Sequence, residues 1–419
     1  MNASKRARFP RASLIVFLLC GLAFAALSYP AVRDAVLKLQ SVTEDWRTKL
    51  LSDGIDGSYP GIAIVIIDAP TIAEFAPQAP TAAIPRELNA RIIQAVDAAH
   101  PRAIGLDFYF VKATTADADS ALRDAIRGIE SKIVLGTVNE SADQFNADQF
   151  AYQQHFIADA GPRAQAGYVN LRHDSDDVVR RTSPPVDHSA YAHSFAQQLA
   201  DIDADPSTRA SRSSASVRIA WLLPSNDSVF ARLYRLGQSF TAPTGGAGQP
   251  NADRSPFPII SAREIIAGGP GYDPRQAELL RNRIVLLSAS LPYIDRHRTP
   301  LSVGTNDGML GVLVHAHVLA QYLDGRSYRE LDDRGTRHLV IGVAIVGFLL
   351  SWLFWHRRAE LFRQGVATGV LVVVDAVVYS ELRLILPFTL ALYAWVIATT
   401  GGHHLRTLAG WILNSDRKS

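Results

Sequence analysis

The chain has 419 residues, 48% of them hydrophobic and 20% charged, with a formal net charge of +2 at pH 7. That length allows two or three domains, and the near-zero charge balance gives no sign of the basic face that a nucleic-acid partner requires. The single cysteine, Cys20, has no pair within the chain, so no intrachain disulfide is expected.

In chain order, Lys5, Arg6, Arg8 and Arg11 lead into an uncharged run, SLIVFLLCGLAFAALS (13–28). The pattern suits a signal peptide or a first membrane helix. We expect retention, because AVRDAVLKLQSVTEDWRTKLL continues with helical periodicity after Pro30. Four short runs rich in Val, Ile and Leu then read as buried parallel strands: GIAIVIID (61–68), AIGLDFYF (103–110), KIVLGTV (132–138) and RIVLLSAS (283–290). Between the first two, PRELNARIIQAVDAAH (85–100) spaces Leu88, Ile92, Ile93 and Val96 as one helix face, with Pro85 at its start. DADSALRDAIRGIE follows as a second helix. Alternating strands and helices predict a parallel sheet with right-handed crossovers.

The middle is less regular. AGYVNLRHDSDDVVRRTSPP (166–185) reads as strand, acidic turn, strand, and 188–202 as a helix. Residues 203–216 and the stretch GGAGQPNADRSPFP read as irregular loops around a further strand in SVRIAWLLP. GVLVHAHVLAQYLDG (311–325) is a helix with a glycine stop. Three apolar runs follow, at 339–355, 365–379 and 385–401, each near the length that crosses a bilayer core. Trp352, Trp355, Tyr379 and Trp395 are candidate interface aromatics. The positive-inside rule, applied to the N-terminal tail, to Arg357, Arg358 and Arg363, and to Arg406, Arg417 and Lys418, sets the orientation. The expected plan is a cytoplasmic tail (1–11), a transmembrane helix (12–29), an extracytoplasmic domain (30–337), three transmembrane helices (338–402) and a cytoplasmic tail (403–419). The fold class is therefore α/β: a mainly parallel sheet with helices on both faces, plus four transmembrane helices, in the cell's inner membrane.

Ligands of parallel sheets bind beyond the carboxyl ends of the strands. Asp68, Asp107 and Asp295 fall there, so they are candidates for a ligand site, for acid/base or metal chemistry, or for helix caps and ion pairs. Asp295, Arg298 and Thr299 form a candidate latch or, with Arg296, an anion site. HDSDD (173–177) has alternating acids but lacks the glycine and distal glutamate of a calcium loop, so an Asx-rich turn is expected. His315 and His317 point in different directions on a helix, and His315 reads as a hydrogen-bonded core histidine. No Gly-x-Ser-x-Gly elbow surrounds Ser288 or Ser290. Neither a metal site, a cofactor nor a catalytic residue is expected. Asp375, the one acid inside a membrane run, either pairs within the helix cluster, with Arg383, or meets a helix of another membrane protein.

The ordered set resembles the second type of CHASE sensory domain. It comprises IAIVIID with Pro85-Arg86, AIGLDFYF with DADSAL, and GYVNLRHDSDDVVRR, in which Gly167, Val169, Asn170, Asp176 and Arg180 match. It continues with the strand leading to Asp295 and Thr299-Pro300, and with the helix carrying Gly311, His315 and Ala316. Asp177 and Ser288 stand where that pattern has glycine, and Leu310 where it has proline. The resemblance implies a bacterial receptor, not an enzyme, that detects an unknown ligand or extracytoplasmic protein. After Gly402 only HHLRTLAGWILNSDRKS remains, so a separate effector is expected to read the signal. The resemblance also implies that Asn170, Asp176, Arg180, Asp295, Thr299 and His315 belong to the binding or switching region. A homodimer through the stretch after Pro30 is consistent with it. The alternatives are a tethered enzyme using strand-end carboxylates and an accessory subunit of a membrane complex.

Overall fold

The computed structural model of the protein describes residues 10–26, 29–78, 84–142, 144–202, 204, 216–224, 255–291, 295–304, 308–353 and 360–416. Most of the Ser-rich loop, the glycine-rich loop and the 356–364 loop lie outside these residues, as do Lys5, Arg6, Arg8, Trp355, Arg357, Arg358, Arg417 and Lys418. The chain forms two compact units, one from Thr48 to Tyr328 and one from Met1–Arg47 with Arg329–Ser419.

The chain begins with α1 (Arg11–Ala26) and α2 (Pro30–Leu51). It continues through β1 (Asp53–Ile55), β2 (Ile62–Ile67), α3 (Ala69–Phe75), α4 (Arg86–Asp97), β3 (Ala103–Leu106), α5 (Ala116–Gly128), β4 (Ile133–Thr137), α6 (Ala147–Asp159) and β5 (Ala164–Tyr168). Then come α7 (Phe195–Asp201), β6 (Leu222–Pro224), β7 (Ile259–Ser261), α8 (Pro274–Glu278), β8 (Ile284–Ala289), β9 (Arg296–His297), β10 (Met309–Leu310) and α9 (Gly311–Asp324). Six strands form one sheet in the order β5-β4-β3-β8-β2-β7, every neighbouring pair parallel.

Both faces of this sheet are covered, which is why the central strands β2, β3 and β8 are almost continuously apolar. Ala63, Val65, Ile67, Ile104 and Leu106 face a core completed by Leu88, Ile92 and Val96 of α4 and Leu122 and Ile126 of α5. Ile62, Ile64, Ile66 and Leu286 face the opposite core, with Phe195 and Leu199 of α7 and Val312 and Leu319 of α9. Each large aliphatic side chain buried in this way contributes about 1.5–3 kcal/mol.

The four expected strands and the helices at 86–97, 116–128 and 311–324 are present, trimmed at their ends. The helix expected over 188–202 forms only from Phe195, because Ser194 caps it: its Oγ accepts from the Gln197 N–H at 3.3 Å. Among the elements not anticipated are α6 and β7. α6 is mixed polar and aromatic and starts at an Asn146–Gln149 capping box. β7 has only three residues and follows the irregular loop.

The other unit continues with β11 (Arg329–Glu330), α10 (Asp333–Leu353), α11 (Glu360–Leu382), β12 (Leu384–Ile385) and α12 (Phe388–Asp416). β11 and β12 pair in parallel, and α12 packs along both α1 and α10. Among the described residues two helices are long and apolar enough to cross a membrane, Asp333–Leu353 and Gln364–Leu382, and Arg11–Ala23 is a shorter apolar helix. Ile345, Leu349 and Leu353 of α10 and Val370, Val373 and Val377 of α11 are exposed. Tyr379 and Trp395, candidate interface aromatics, are instead buried within the unit. A Cβ at Gly347 would sit 3.1 Å from the Trp395 ring, so the glycine is what allows α10 so close to α12.

Candidate functional site

The strand-end acids divide between two tasks. Asp68 is the N-cap of α3: its Oδ1 accepts from the Thr71 N–H (3.0 Å), the Thr71 hydroxyl (2.6 Å) and the Ser261 hydroxyl (3.0 Å). Those three donors explain its burial next to β7. Asp107 and Asp295 come together elsewhere.

Asp107 follows β3 directly, and its N–H donates to the Leu287 carbonyl of neighbouring β8 at 2.8 Å. Its side chain is 7% exposed, with Oδ1 4.0 Å from Nε2 of His315 on α9. Among the described residues its Oδ2 has no hydrogen-bond partner. Burial and the charge of Asp295 push the Asp107 carboxyl well above its ordinary range, against a hydrogen bond from Ser288. Ser288, standing where the CHASE pattern has glycine, is thus buried in β8 with its hydroxyl turned to this acid. His315 is pushed down to about 4, chiefly by burial and against the pull of Asp295, so it is neutral at neutral pH. It also packs edge-on against Phe195. His317, two positions on, accepts from the Leu222 N–H at 3.2 Å between the rings of Trp221 and Phe257, away from these acids.

Asp295 sits at φ +52°, in the left-handed region. Its Oδ1 is 2.8 Å from His297 Nε2, and the Gly311 N–H donates to both its Oδ2 and its backbone carbonyl at 3.1 Å. Desolvation opposes the charge on Asp295, but the hydrogen bond and charge of His297, with His315 and the Gly311 N–H, hold its carboxyl below the ordinary range. A Cβ at Gly311 would run into the Asp295 carboxyl, so this approach to the start of α9 requires glycine.

The 172–181 hairpin closes against this cluster. Arg180, almost fully buried, holds both oxygens of Asp176 (2.8 and 2.7 Å) and Oδ2 of Asp174 (3.0 Å), which keeps the Asp176 carboxyl below the usual range. The alternating acids are therefore arranged around an arginine, as an Asx-rich turn. Asp177 takes φ +64° where the CHASE pattern has glycine, a region aspartate tolerates better than most residues. Leu310, at the proline position, has φ −60°, a value proline itself would take. Arg298 donates to the Asp176 carbonyl at 3.4 Å, and the Val179 N–H to the Arg298 carbonyl at 2.8 Å. Arg296 reaches the Gly308 carbonyl at 3.3 Å. Thr299 is buried at the start of a short 3-10 turn, Pro300–Ser302. Asn170 fastens the β4 exit, accepting from the Asn139 N–H (2.9 Å) and donating to the Ser141 hydroxyl (3.1 Å).

Two residues unmarked as functional in the sequence join the cluster. His297 Nδ1 lies 3.2 Å from His173 Nε2, and His173 Nδ1 lies 2.8 Å from Asp177 Oδ1. Among the described residues no group of three or more His, Cys, Asp or Glu is arranged to hold a metal. In the other unit, Asp375 is held by Arg47 of α2 at 2.5 Å rather than by Arg383. The same guanidinium reaches the Leu386 carbonyl (3.4 Å) and lies 5.0 Å from the centre of the Tyr379 ring.

The model of the CHASE2 domain matches residues 15–355, and the chain belongs to that family of extracellular sensory domains. No curated protein and no solved structure matches the chain.

Proposed function

We propose that the protein is a membrane-anchored receptor of the bacterial inner membrane, and that its signal acts on the strand-end cluster of Asp107, Asp295 and His315. In this reading α1, α10, α11 and α12 all span the bilayer. The body from about residue 30 to 337 faces outward, and both tails and the 356–364 loop face the cytoplasm. The apolar exposed faces of α10 and α11 and the distribution of basic residues support it. A ligand, or an extracytoplasmic protein, that prefers one packing of the hairpin and the 295–299 segment shifts the population toward it. The latch formed by Asp295, Arg298 and Thr299, with Asn170, Asp176 and Arg180 fixing the hairpin, is the moving part. A separate effector reads the change through the membrane helices, with a homodimer along α2 as the assembly.

The observation that carries the reading is the unpartnered Oδ2 of buried Asp107 at the carboxyl end of a parallel sheet. The test is thermal stability of the full chain in nanodiscs against a panel of small solutes, with Asp107→Asn as control. A solute that stabilises the wild type but not the variant, without being turned over, supports the receptor. A reporter at residue 150 that is active only in the cytosol sinks it.

One observation favours a tethered enzyme as second reading: Asp107 and Asp295 are neighbours pushed in opposite directions, the pattern of an acid and its conjugate partner. Turnover of a solute, lost in a folded Asp107→Asn, distinguishes it.

A further inference from the structure

Four side chains join two segments in a line. Asp295 Oδ1 meets His297 Nε2 at 2.8 Å, His297 Nδ1 meets His173 Nε2 at 3.2 Å, and His173 Nδ1 meets Asp177 Oδ1 at 2.8 Å. The hairpin supplies two of them and the segment after β8 supplies the other two.

Hydrogen-bond valence limits how this line is protonated. An ionised carboxylate only accepts, and a neutral imidazole has one N–H and one lone pair. The two carboxylates therefore require hydrogens on His297 Nε2 and His173 Nδ1. If both rings are neutral, those ends are satisfied but two lone pairs face each other in the middle. If both rings are imidazolium, two N–H groups face each other instead. Only one extra proton, giving one imidazolium and one neutral ring, makes all three hydrogen bonds at once. Four nitrogens then share three protons.

We propose that Asp295, His297, His173 and Asp177 form a binding site for a single proton, which closes the 172–181 hairpin onto the 295–299 segment over a bounded pH window. The proposal deepens the receptor reading by making proton activity an input to the strand-end cluster. It rests on that reading for its consequence, not for its occupancy.

The surrounding charges are arranged to leave the line in control. Arg296 and Arg298 flank His297 but are directed to the Gly308 and Asp176 carbonyls. On the hairpin, Arg172 stands next to His173, while Asp174 and Asp176 are taken by Arg180. From α9, His315 titrates near 4 and is neutral above that. Tyr109, raised by burial, Asp295 and Asp107, stays neutral. Asp107, raised by burial and by Asp295, is the one neighbour that adds a titration of its own.

The experiment is hydrogen exchange of the 172–181 amides in the full-length protein in nanodiscs, from about pH 5 to about pH 9 around the imidazole range, corrected for intrinsic exchange. The expected profile is a maximum of protection with a fall of about fivefold on each side, the effect of losing one hydrogen bond. His173→Gln flattens it, because an amide can either donate to or accept from His297 Nδ1. A flat or monotonic wild-type profile, or a maximum that persists in His173→Gln, overturns the proposal. If His173→Gln does not fold, histidine nitrogen shifts of the wild type decide: one charged and one neutral ring across the window uphold it, two alike overturn it. A maximum lost in His173→Gln upholds the proton site even where the solute panel or the residue-150 reporter overturns the receptor reading, so the two fail separately.

Discussion

Arg86 and Asp119, 33 positions apart, form a buried ion pair between the first turns of α4 and α5, their side chains 6% and 8% exposed. Thr114 and Tyr152 also donate to Asp119, and Arg86 donates to the Lys112 carbonyl at 2.6 Å beneath the rings of Phe110 and Phe156. Arg86→Ala leaves a buried carboxylate and is expected to cost about 3–5 kcal/mol, whereas Arg86→Met with Asp119→Leu is near neutral. Thermal unfolding of the full chain checks both; an undisturbed Arg86→Ala refutes the role. Desolvation opposes the Asp119 charge, but Thr114, Tyr152 and Arg86 hold its carboxyl below the ordinary range. Its contribution is therefore present above about pH 3.9 and is lost as the pH falls further. Asp119→Asn removes that acid sensitivity.

Asp107 gives the opposite sign. Its folded-state pKa is raised, first by burial and then by Asp295, so the folded state holds the proton more tightly than the unfolded chain. Stability is lost progressively as the pH rises above about 3.9. Asp107→Asn keeps the shape and removes the charge. The variant is expected to approach the wild type in stability at acid pH and to exceed it increasingly as the pH rises. A wild type more stable than the variant at alkaline pH shows instead that Asp107 is a paired carboxylate.

These sites were legible in unequal measure. The sheet was readable because buried parallel strands carry short runs rich in Val, Ile and Leu, and Pro85-Arg86 with DADSAL were visible as motifs before their arginine and aspartate were seen to pair. α6 was hidden by its glutamines and tyrosine, since Gln153 is buried for its two hydrogen bonds to Val138 rather than for apolarity. His173 and His297 lie 124 positions apart, and nothing local to either signals the other. Asp375 was matched to Arg383, close by in sequence, whereas helix packing brings it to Arg47, 328 positions away.

Gly311 offers a test of the turn into α9. A Cβ there collides with the Asp295 carboxyl, so Gly311→Ala must displace Asp295 or the helix start. The expected cost is about 1–3 kcal/mol, as for other insertions into packed sites. Protection of the 295–299 amides is expected to fall together with that of 172–181, because the Val179 N–H depends on the Arg298 carbonyl. Loss at one segment alone shows that they do not close as one piece.

Arg47 and Asp375 tie α2 to α11, and the tie has further contacts: the Tyr379 ring under the guanidinium, the Leu386 carbonyl, and the Thr43–Thr389 hydroxyl pair at 2.7 Å. In an apolar helix cluster an unpaired charge has no water to solvate it. Arg47→Ala is therefore expected to cost about 3–5 kcal/mol in nanodisc-embedded protein, and Asp375→Leu with Arg47→Met far less, because the second change removes both charges together. The pairing also bears on the accessory-subunit alternative. If Asp375 is satisfied within the chain, a photo-cross-linker at 375 captures α2 of the same protein, and capture of another protein's helix instead means that the Arg47 pair opens for a partner.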